Sequence, residues 1–313
     1  MATTTTKDYK QQVNVVDLSP YFPLIAAQNN PLLTLLTARK GPQKIKSLYM
    51  YKTVGNGEDT DYSGKKAEGA DATEFKASQR TRVKNICEIF SENVKVSDTI
   101  TDGLGINGQQ YLLDEAKIKL AKIKKDFEFA MLNSGAAVEE DPRQLAGLST
   151  FAGKTIDLGK KALTVEALEE ASIEFYNKGF MDNDVYLIIN AKDATKLKKA
   201  YLKAGEEEKT TVTINTGAQN IGIRVNKIVN SFGDINLVYT PNLKEGTAYL
   251  VNLKAFDLGY LRAPQVKKLG KDGDNTAFSA VMEATYIANP AGVIQFKNLG
   301  ATMPSKTTET TGA

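Results

Sequence analysis

The sequence of 313 residues contains no histidine. Histidine is the commonest general base and a common metal ligand, because its pKa lies near neutrality. Its absence excludes Ser-His-Asp and Cys-His catalysis by this chain, and zinc sites built from histidine and cysteine. Carboxylate or lysine chemistry remains open, so the missing residue lowers the expectation of an enzyme without removing it.

Cysteine and long apolar runs are also scarce. Cys87 is the only cysteine, so no intrachain disulfide can form, and its apolar context indicates a buried small hydrophobe. No apolar run reaches the roughly 20 residues of a membrane span. The polar start MATTTTKDYKQQ has no signal-peptide core. We therefore expect a soluble protein made in the cytosol.

Charge is plentiful but balanced. Forty basic residues face 37 acidic ones, and the net charge of +3 is too small to predict nucleic-acid binding. A composition that is 42% hydrophobic and 25% charged is typical of a globular protein with one or two domains.

The strongest local pattern is GQQYLLDEAKIKLAKIKKDFEFAMLN at residues 108–133. Apolar residues recur there at steps of three and four, which places them on one face of a helix. They are Leu113, Ala116, Leu120, Ile123, Phe127 and Ala130. The rest of the helical wheel is assigned to Lys117, Lys119, Lys122, Lys124, Lys125 and Glu128. At about 1.5 Å per residue the helix is roughly 35–40 Å long, so other elements should pack against it.

An extended arm is predicted before this helix. Pro20, Pro23 and Pro31 forbid one continuous helix between residues 13 and 38, and a short helical turn is expected at 32–37.

A long β-hairpin is predicted to follow the arm. Strand-like runs at 42–54 and 73–90 flank the charged, glycine-bearing stretch 55–72. A two-stranded hairpin alone in water is marginal. We expect either a mobile surface loop or an arm that becomes ordered on a neighbouring subunit.

The second half of the chain alternates helices and strands. Thr164 is a helix N-cap, 184–190 is an apolar strand, and 192–203 is another helix. Later strands are expected at 222–228, 234–240, 247–251, 256–261, 278–287 and 293–296. This order indicates an α+β fold. The tail from residue 301 to 313 should be disordered.

Motifs that suggest chemistry lack their usual context. Gly103–Gly108 satisfies GxGxxG, but the helix that follows is too long for a dinucleotide-binding unit. GLSTFAGKT at 147–155 has the wrong spacing for a phosphate loop. Asp272, Asp274 and Asn275 are an incomplete calcium loop, read as a turn. We predict no catalytic, cofactor or metal site.

Three segments together resemble the major capsid proteins of tailed bacteriophages, which have the Hong Kong 97-type fold. They are DLSPYFPLIAAQNNPLLTLL at 17–36, GLGINGQQYLLDEAKIKLAKIKKDFEFAMLN at 103–133, and LGKDGDNTAFSAVMEATYIANPAG at 269–292. The last contains a Gly-Asp turn, a strand glutamate at Glu283 and an Asn-Pro break.

The resemblance implies a shell subunit that assembles with itself into pentamers and hexamers around double-stranded DNA, in the host bacterial cytoplasm. It assigns an N-terminal arm (1–40), an extended β-hairpin loop (41–92), a peripheral domain (93–160, with the spine helix 108–133, and again 251–300), and an axial domain (161–250). Separate scaffolding, portal and decoration proteins are further implied partners.

The hairpin tip supplies the candidate interface residues Asp59, Asp61, Lys65 and Lys66. Some members of the family crosslink a loop lysine to a neighbour, but no partner residue is recognisable here. Two alternatives stay open. One is an encapsulin-like nanocompartment shell, and the other is a nucleotide-dependent enzyme that uses the Gly103–Gly108 loop.

Overall fold

The structure is a computed structural model that describes residues 30–55, 68, 80–99, 108–197, 226–270 and 273–300. Its helices include α1 (Pro31–Arg39), α2 (Gly108–Asn133) and α3 (Val165–Asn177), and residues 191–197 are also helical. The first strands are β1 (Gln43–Lys44), β2 (Tyr49–Gly55), β3 (Arg80–Ile86), β4 (Glu88–Ser97), β5 (Lys154–Asp157) and β6 (Val185–Ile189). The later ones are β7 (Asn226–Asn230), β8 (Gly233–Tyr239), β9 (Thr247–Asn252), β10 (Phe256–Lys268), β11 (Asn275–Ala288) and β12 (Val293–Lys297).

The described strands form three sheets. One has the order β1-β10-β11-β4, the second has the order β5-β12-β9-β6-β8-β7, and β2 pairs only with β3. The predicted hairpin is therefore confirmed over a shorter length, with Tyr49 opposite Ile86 and Gly55 opposite Arg80. Residues 43–44 and 88–90, which were expected in its two strands, pair in the four-stranded sheet instead. After Cys87 the chain leaves the hairpin and enters the four-stranded sheet as β4.

The six-stranded sheet separates two apolar cores. Strand residues alternate between its faces, so Val185, Leu187 and Ile189 of β6 pack with helix α3, while Ile188 packs in the other core. That other core also contains α1, α2 and the inner face of the four-stranded sheet. Thr164 caps α3 as predicted, because its hydroxyl accepts a hydrogen bond from the Ala167 amide at 3.4 Å.

Helix α2 has the predicted bounds and lies on β4 and β11. Buried positions on its apolar face include Ile123, Phe127 and Ala130, as expected. The rings of Phe127 and Phe90 pack edge to face, with their centroids 5.5 Å apart. The last carbonyls of a helix lack partners within it. Here the hydroxyls of Tyr286 and Tyr249 donate to the carbonyls of Met131 (3.2 Å) and Leu132 (3.4 Å), which ties the helix end to both sheets.

One prediction about α2 is wrong. The helical pattern groups Glu128 with the lysines outside the apolar face, but its side chain is 0% exposed. Its neighbours on that side are α1 and the loop between β8 and β9, which supply hydrogen-bond donors instead of water. Periodicity alone cannot show that a second surface of the helix is also covered.

Several strands are longer than their sequence patterns predict. Strand β10 continues seven residues past the expected end at Leu261, through Pro264. The cause is its position: residues beyond Tyr260 pair with β11 on one side only, and proline is tolerated on such an edge. The domain boundaries stay a prediction. The six-stranded sheet contains strands from both predicted domains, because β5 and β12 of the peripheral domain lie in the same sheet as β6, β7 and β8 of the axial domain.

Candidate assembly surfaces

The root of the hairpin is held by the buried side chain of Asn85 and the half-buried side chain of Glu88. The side-chain amide of Asn85 donates to the Tyr286 carbonyl at 2.8 Å, and its oxygen accepts from the Ala146 amide at 2.9 Å. The Glu88 carboxylate accepts from the Leu145 amide at 3.0 Å. Burial raises the pKa of the Glu88 carboxyl, and this hydrogen bond opposes the rise. The hairpin therefore leaves the body from a fixed base.

A second anchor lies along β2. The Lys52 ammonium donates to the Ala255 carbonyl and to Asp257, each at 2.8 Å, and Lys40 pairs with the other oxygen of Asp257 at 2.5 Å. Burial alone would raise the pKa of the Asp257 carboxyl, but hydrogen bonds from both lysines outweigh it and lower that pKa.

These contacts fix the direction of the hairpin. The Met50 sulfur lies against Gly259, whereas Lys52, two residues further along β2, reaches back to Ala255 and Asp257. Strand β2 thus runs toward the beginning of β10 and away from its later part, 261–268. The segment between Gly55 and Arg80 leaves from the end of the hairpin that is farther from residues 261–268.

The outer face of the hairpin carries aromatic and basic side chains. The Arg82 guanidinium lies 4.3 Å from the Tyr51 ring centroid, and Lys84 lies 5.4 Å from that of Tyr49. Glu139 accepts hydrogen bonds from the Tyr49 hydroxyl (2.9 Å) and Lys84 (2.8 Å). The hydrogen bond from Lys84, and after it the one from Tyr49, lower the pKa of the Glu139 carboxyl. The paired side chains of Lys84 and Glu139 are exposed on this face.

Among the described strands, the outer edge of β10 has no partner over more than half its length. Strand β1 pairs with β10 only at Gly259 and Tyr260, and the Ile45 amide then donates to the Tyr260 carbonyl at 3.0 Å. In the described residues no other strand pairs with this side of β10. A cavity of about 560 Å³ lies where β1 ends, lined by Pro42, Gln43, Lys44, Tyr260, Leu261, Arg262, Ala263 and Gln265. An unpaired edge of this kind accepts an extended segment.

A buried ion cluster supports the same sheet from within. Glu283 is 4% exposed and accepts from Arg262 at 2.8 Å and from Arg143 at 3.2 Å. Arg143 comes from the loop after α2, so the cluster ties that loop to β10 and β11. A buried carboxylate between two guanidinium groups is neutralised by its partners.

Apolar side chains are exposed on helix α3. Ile173 and Tyr176 are one turn apart and 44% and 63% exposed, and the Tyr176 ring lies 5.9 Å from the ring of Phe232 in the β7–β8 turn. A cluster of this type is a candidate contact with another protein surface.

The residues suggested by sequence motifs have mixed outcomes. Asp59, Asp61, Lys65 and Lys66 lie outside the described residues, as does the GxGxxG stretch before Gly108. The loop at 147–155 is no phosphate cradle: Lys154 is paired with Glu170 at 2.7 Å, and a Cβ on Gly147 would sit 1.9 Å from the Ser134 carbonyl oxygen.

The prediction for Cys87 is confirmed. Its thiol is 0% exposed, and burial raises its pKa to about 11. Sequence patterns did not reveal the structural roles of three polar residues, Asn85, Arg143 and Glu128. Each forms hydrogen bonds with partners far away in the sequence. None of the helices in the described residues combines the length and apolarity needed to cross a membrane.

Comparison with known proteins identifies relatives by sequence and by fold. The family model described as SU10 major capsid protein matches residues 2–299. No curated protein matches. A capsid subunit of cyanophage A-1(L) superposes with a TM-score of 0.63 at 9% identity, covering 86% of this chain and 93% of that one.

Two further structures have the same fold. The capsid of cyanophage P-SCSP1u gives a TM-score of 0.52 at 14% identity, with coverage of 82% and 85%. The SrpI encapsulin of Synechococcus elongatus PCC 7942 gives 0.57 at 10% identity, with coverage of 97% and 99%. These likenesses establish the Hong Kong 97-type fold, the α+β class expected from the sequence. Because phage capsids and encapsulins share that fold, the family match is what separates them.

Proposed function

Because the chain belongs to the SU10 major capsid protein family and is a major capsid protein, we propose that its copies form the pentamers and hexamers of an icosahedral tailed-phage head around double-stranded DNA. The family match over residues 2–299 carries this proposal. Assembly takes place in the cytoplasm of the bacterial host. Scaffolding, portal and decoration proteins are its proposed partners besides further copies of the chain.

Each proposed domain makes a different contact in the assembled shell. Residues 1–40 cross to neighbouring copies, and 41–92 lie on an adjacent one. The axial domain, 161–250, faces the symmetry axes, a role supported by the exposed Ile173 and Tyr176 on helix α3. Residues 93–160 and 251–300 form the peripheral domain. Contacts around a ring are head to tail, so each of these surfaces needs a different complementary surface on the next copy.

We assign the open edge of β10 as the surface that receives the hairpin tip of the next copy. Residues 56–79 of the tip contain six acidic and three basic residues. The edge carries Lys44, Lys267 and Lys268. This complementarity favours the encounter. The hairpin of the same copy runs toward the other end of β10, which favours docking between copies. Asp59 and Asp61 are the proposed contacts, and Lys65 and Lys66 flank them.

Negative-stain electron microscopy with light scattering tests the shell itself. Purified full-length protein, alone or with a co-expressed scaffolding protein, should give closed isometric particles or capsomer rings. Nuclease-protected DNA in particles from infected cells would distinguish a phage head from a protein-filled nanocompartment. A monodisperse monomer or dimer in every condition would contradict the proposal.

Disulfide crosslinking tests the hairpin contact. Since the only native cysteine is buried, a chain carrying Asp61→Cys and Gln265→Cys should form disulfides solely through the new thiols. Docking between copies predicts a ladder of covalent oligomers after oxidation of the shells. A matched pair, Asp61→Cys with Lys124→Cys, should stay monomeric on a denaturing gel. An internal disulfide in the first pair, or equal ladders in both, would contradict docking between copies.

A further inference from the structure

The Glu128 carboxylate joins three separate elements in the interior. One oxygen accepts a hydrogen bond from the Leu33 amide of α1 at 2.8 Å. The other accepts from the Thr240 hydroxyl and the Asn242 side-chain amide in the β8–β9 loop, both at 3.0 Å. Glu128 is thus the polar connection by which α2 holds both α1 and the loop.

The loop is firmly placed, and α1 is anchored by the buried Leu32, Leu33 and Leu36 and by Arg39, which donates to the Leu253 carbonyl at 3.0 Å. The Asn242 carbonyl accepts from Asn133 at 2.6 Å, the Leu243 carbonyl accepts from Asn190 at 2.7 Å, and the Lys244 amide donates to Asn133 at 2.9 Å. Helix α1 is only nine residues long and has no side-chain cap on Asn30. Isolated helices of that length are unstable in water, so α1 depends on its docking contacts.

The three donors of Glu128 are neutral. Charged residues near Glu128 in the chain or on the elements packed around it include Lys124, Lys125, Asp126, Arg39, Lys244 and Glu245. Lys124 and Lys125 are exposed, Arg39 pairs with Asp184, Lys244 lies over the Phe129 ring, and Glu245 pairs with Lys192. Burial raises the pKa of the Glu128 carboxyl to about 7, and hydrogen bonds from Leu33, Asn242 and Thr240 oppose the rise.

We propose that Glu128 is a protonation-controlled clasp for helix α1, which holds the helix tightly when neutral and loosely when ionised. While α1 is docked, the carboxyl is sealed from water, so ionisation is costly. When α1 detaches, water reaches the carboxyl and restores its ordinary acidity. The proton leaves to solvent as the clasp opens, so rising pH favours the detached helix and frees the residues that precede it.

Linkage between protonation and docking sets the size of the effect. The pKa is about 7 when the helix is docked, against 4.5 for a solvated glutamate. The docked carboxyl is neutral below both values, so docking is strongest in acid. It weakens as the pH rises from 4.5 to 7, by at most about 300-fold, and is constant above that.

Hydrogen exchange of full-length protein, measured by mass spectrometry from pH 5 to 8, tests the clasp. The readout is the opening equilibrium of peptides covering α1, compared at each pH with the same peptides in Glu128→Gln. The glutamine is nearly isosteric and cannot ionise. We expect the ratio of opening in the native protein to opening in the variant to rise by tens of fold, at most about 70-fold, between pH 5 and pH 8.

Two comparisons keep this test decisive. Glu283→Gln changes a buried glutamate that has arginine partners, and it should leave the pH dependence of α1 as in the native protein. If Glu128→Gln does not fold, exchange of α1 relative to β9 within the native protein supplies the same measurement. A ratio that does not change with pH, or an equal loss of pH dependence in Glu283→Gln, would overturn the clasp.

Discussion

The α2 junction, where α1, the end of α2 and the β8–β9 loop meet, differs from the hairpin region in where its polar groups find hydrogen-bond partners. At the junction the helix-end carbonyls, Glu128 and the β8–β9 loop find partners inside the subunit. At the periphery the two-stranded hairpin pairs with no third strand, and the later half of β10 has one open side in the part of the chain that the structure describes. The first region is closed on itself, and in the second the described strands leave backbone hydrogen-bonding groups without a strand partner.

This difference separates folding from assembly. A substitution at the junction removes contacts within one subunit, so it should change the free energy of unfolding. A change at the periphery should leave that free energy intact and act on particles.

Ile123→Asp should destabilise the subunit most. The side chain is 0% exposed in the core between α2 and the sheet, so the new carboxylate would be buried without a partner. We expect a loss of about 4 kcal/mol or more in the free energy of unfolding, measured by denaturant titration. Lys124→Asp, one residue along on the exposed side, should cost less than about 1 kcal/mol. Equal stability of the two variants would contradict burial of this face.

Arg143→Met should cost about 3 kcal/mol in the same titration, because it removes a largely buried partner from the Glu283 carboxylate. Arg262→Met removes the other guanidinium, whose side chain is 40% exposed, and should cost less. The reverse order would show that the exposed arginine dominates the cluster.

The free energy of unfolding should also depend on pH through Glu128. The folded protein prefers its neutral form, so the stability of the native protein relative to Glu128→Gln should fall as the pH rises from 4.5 to about 7. The difference is at most about 3 kcal/mol. Parallel curves for the two proteins would contradict a buried carboxyl held by neutral hydrogen-bond donors at this position.

Deletion of residues 58–70 should have the smallest effect on folding and a large one on assembly. The melting temperature should stay within a few degrees of the native value, because the hairpin root is held by Asn85 and Lys52. Particle yield should drop at least tenfold in sedimentation. Deletion of 301–313, which removes the same number of residues, is the control and should leave both unchanged. Normal particles from the first deletion would refute the role of the tip.

Local periodicity predicts part of this architecture well. The bounds of α2, the cap of α3 and the hairpin follow from spacing and turn residues, because their causes lie within a few residues of each other. The long β10 was missed because Pro264 reads as a strand end when the open edge around it is unknown.

The polar connections could not be predicted in this way. Glu128 fits the charged face of a helix, and only its distant partners Leu33, Thr240 and Asn242 reveal that this face is covered. Asn85 likewise looks like an ordinary strand residue until Tyr286 and Ala146 are placed beside it. The proposed contacts of Asp59 and Asp61 depend on a second copy of the chain, which a single sequence cannot place.

A cryo-electron microscopy reconstruction of particles assembled from the full-length chain tests the central claim most directly. The account predicts closed shells in which the hairpin of one subunit lies along residues 261–268 of the next, while α1, α2 and the β8–β9 loop keep the contacts described here. Shells in which that edge of β10 stays open, or in which each hairpin folds back on its own subunit, would contradict it.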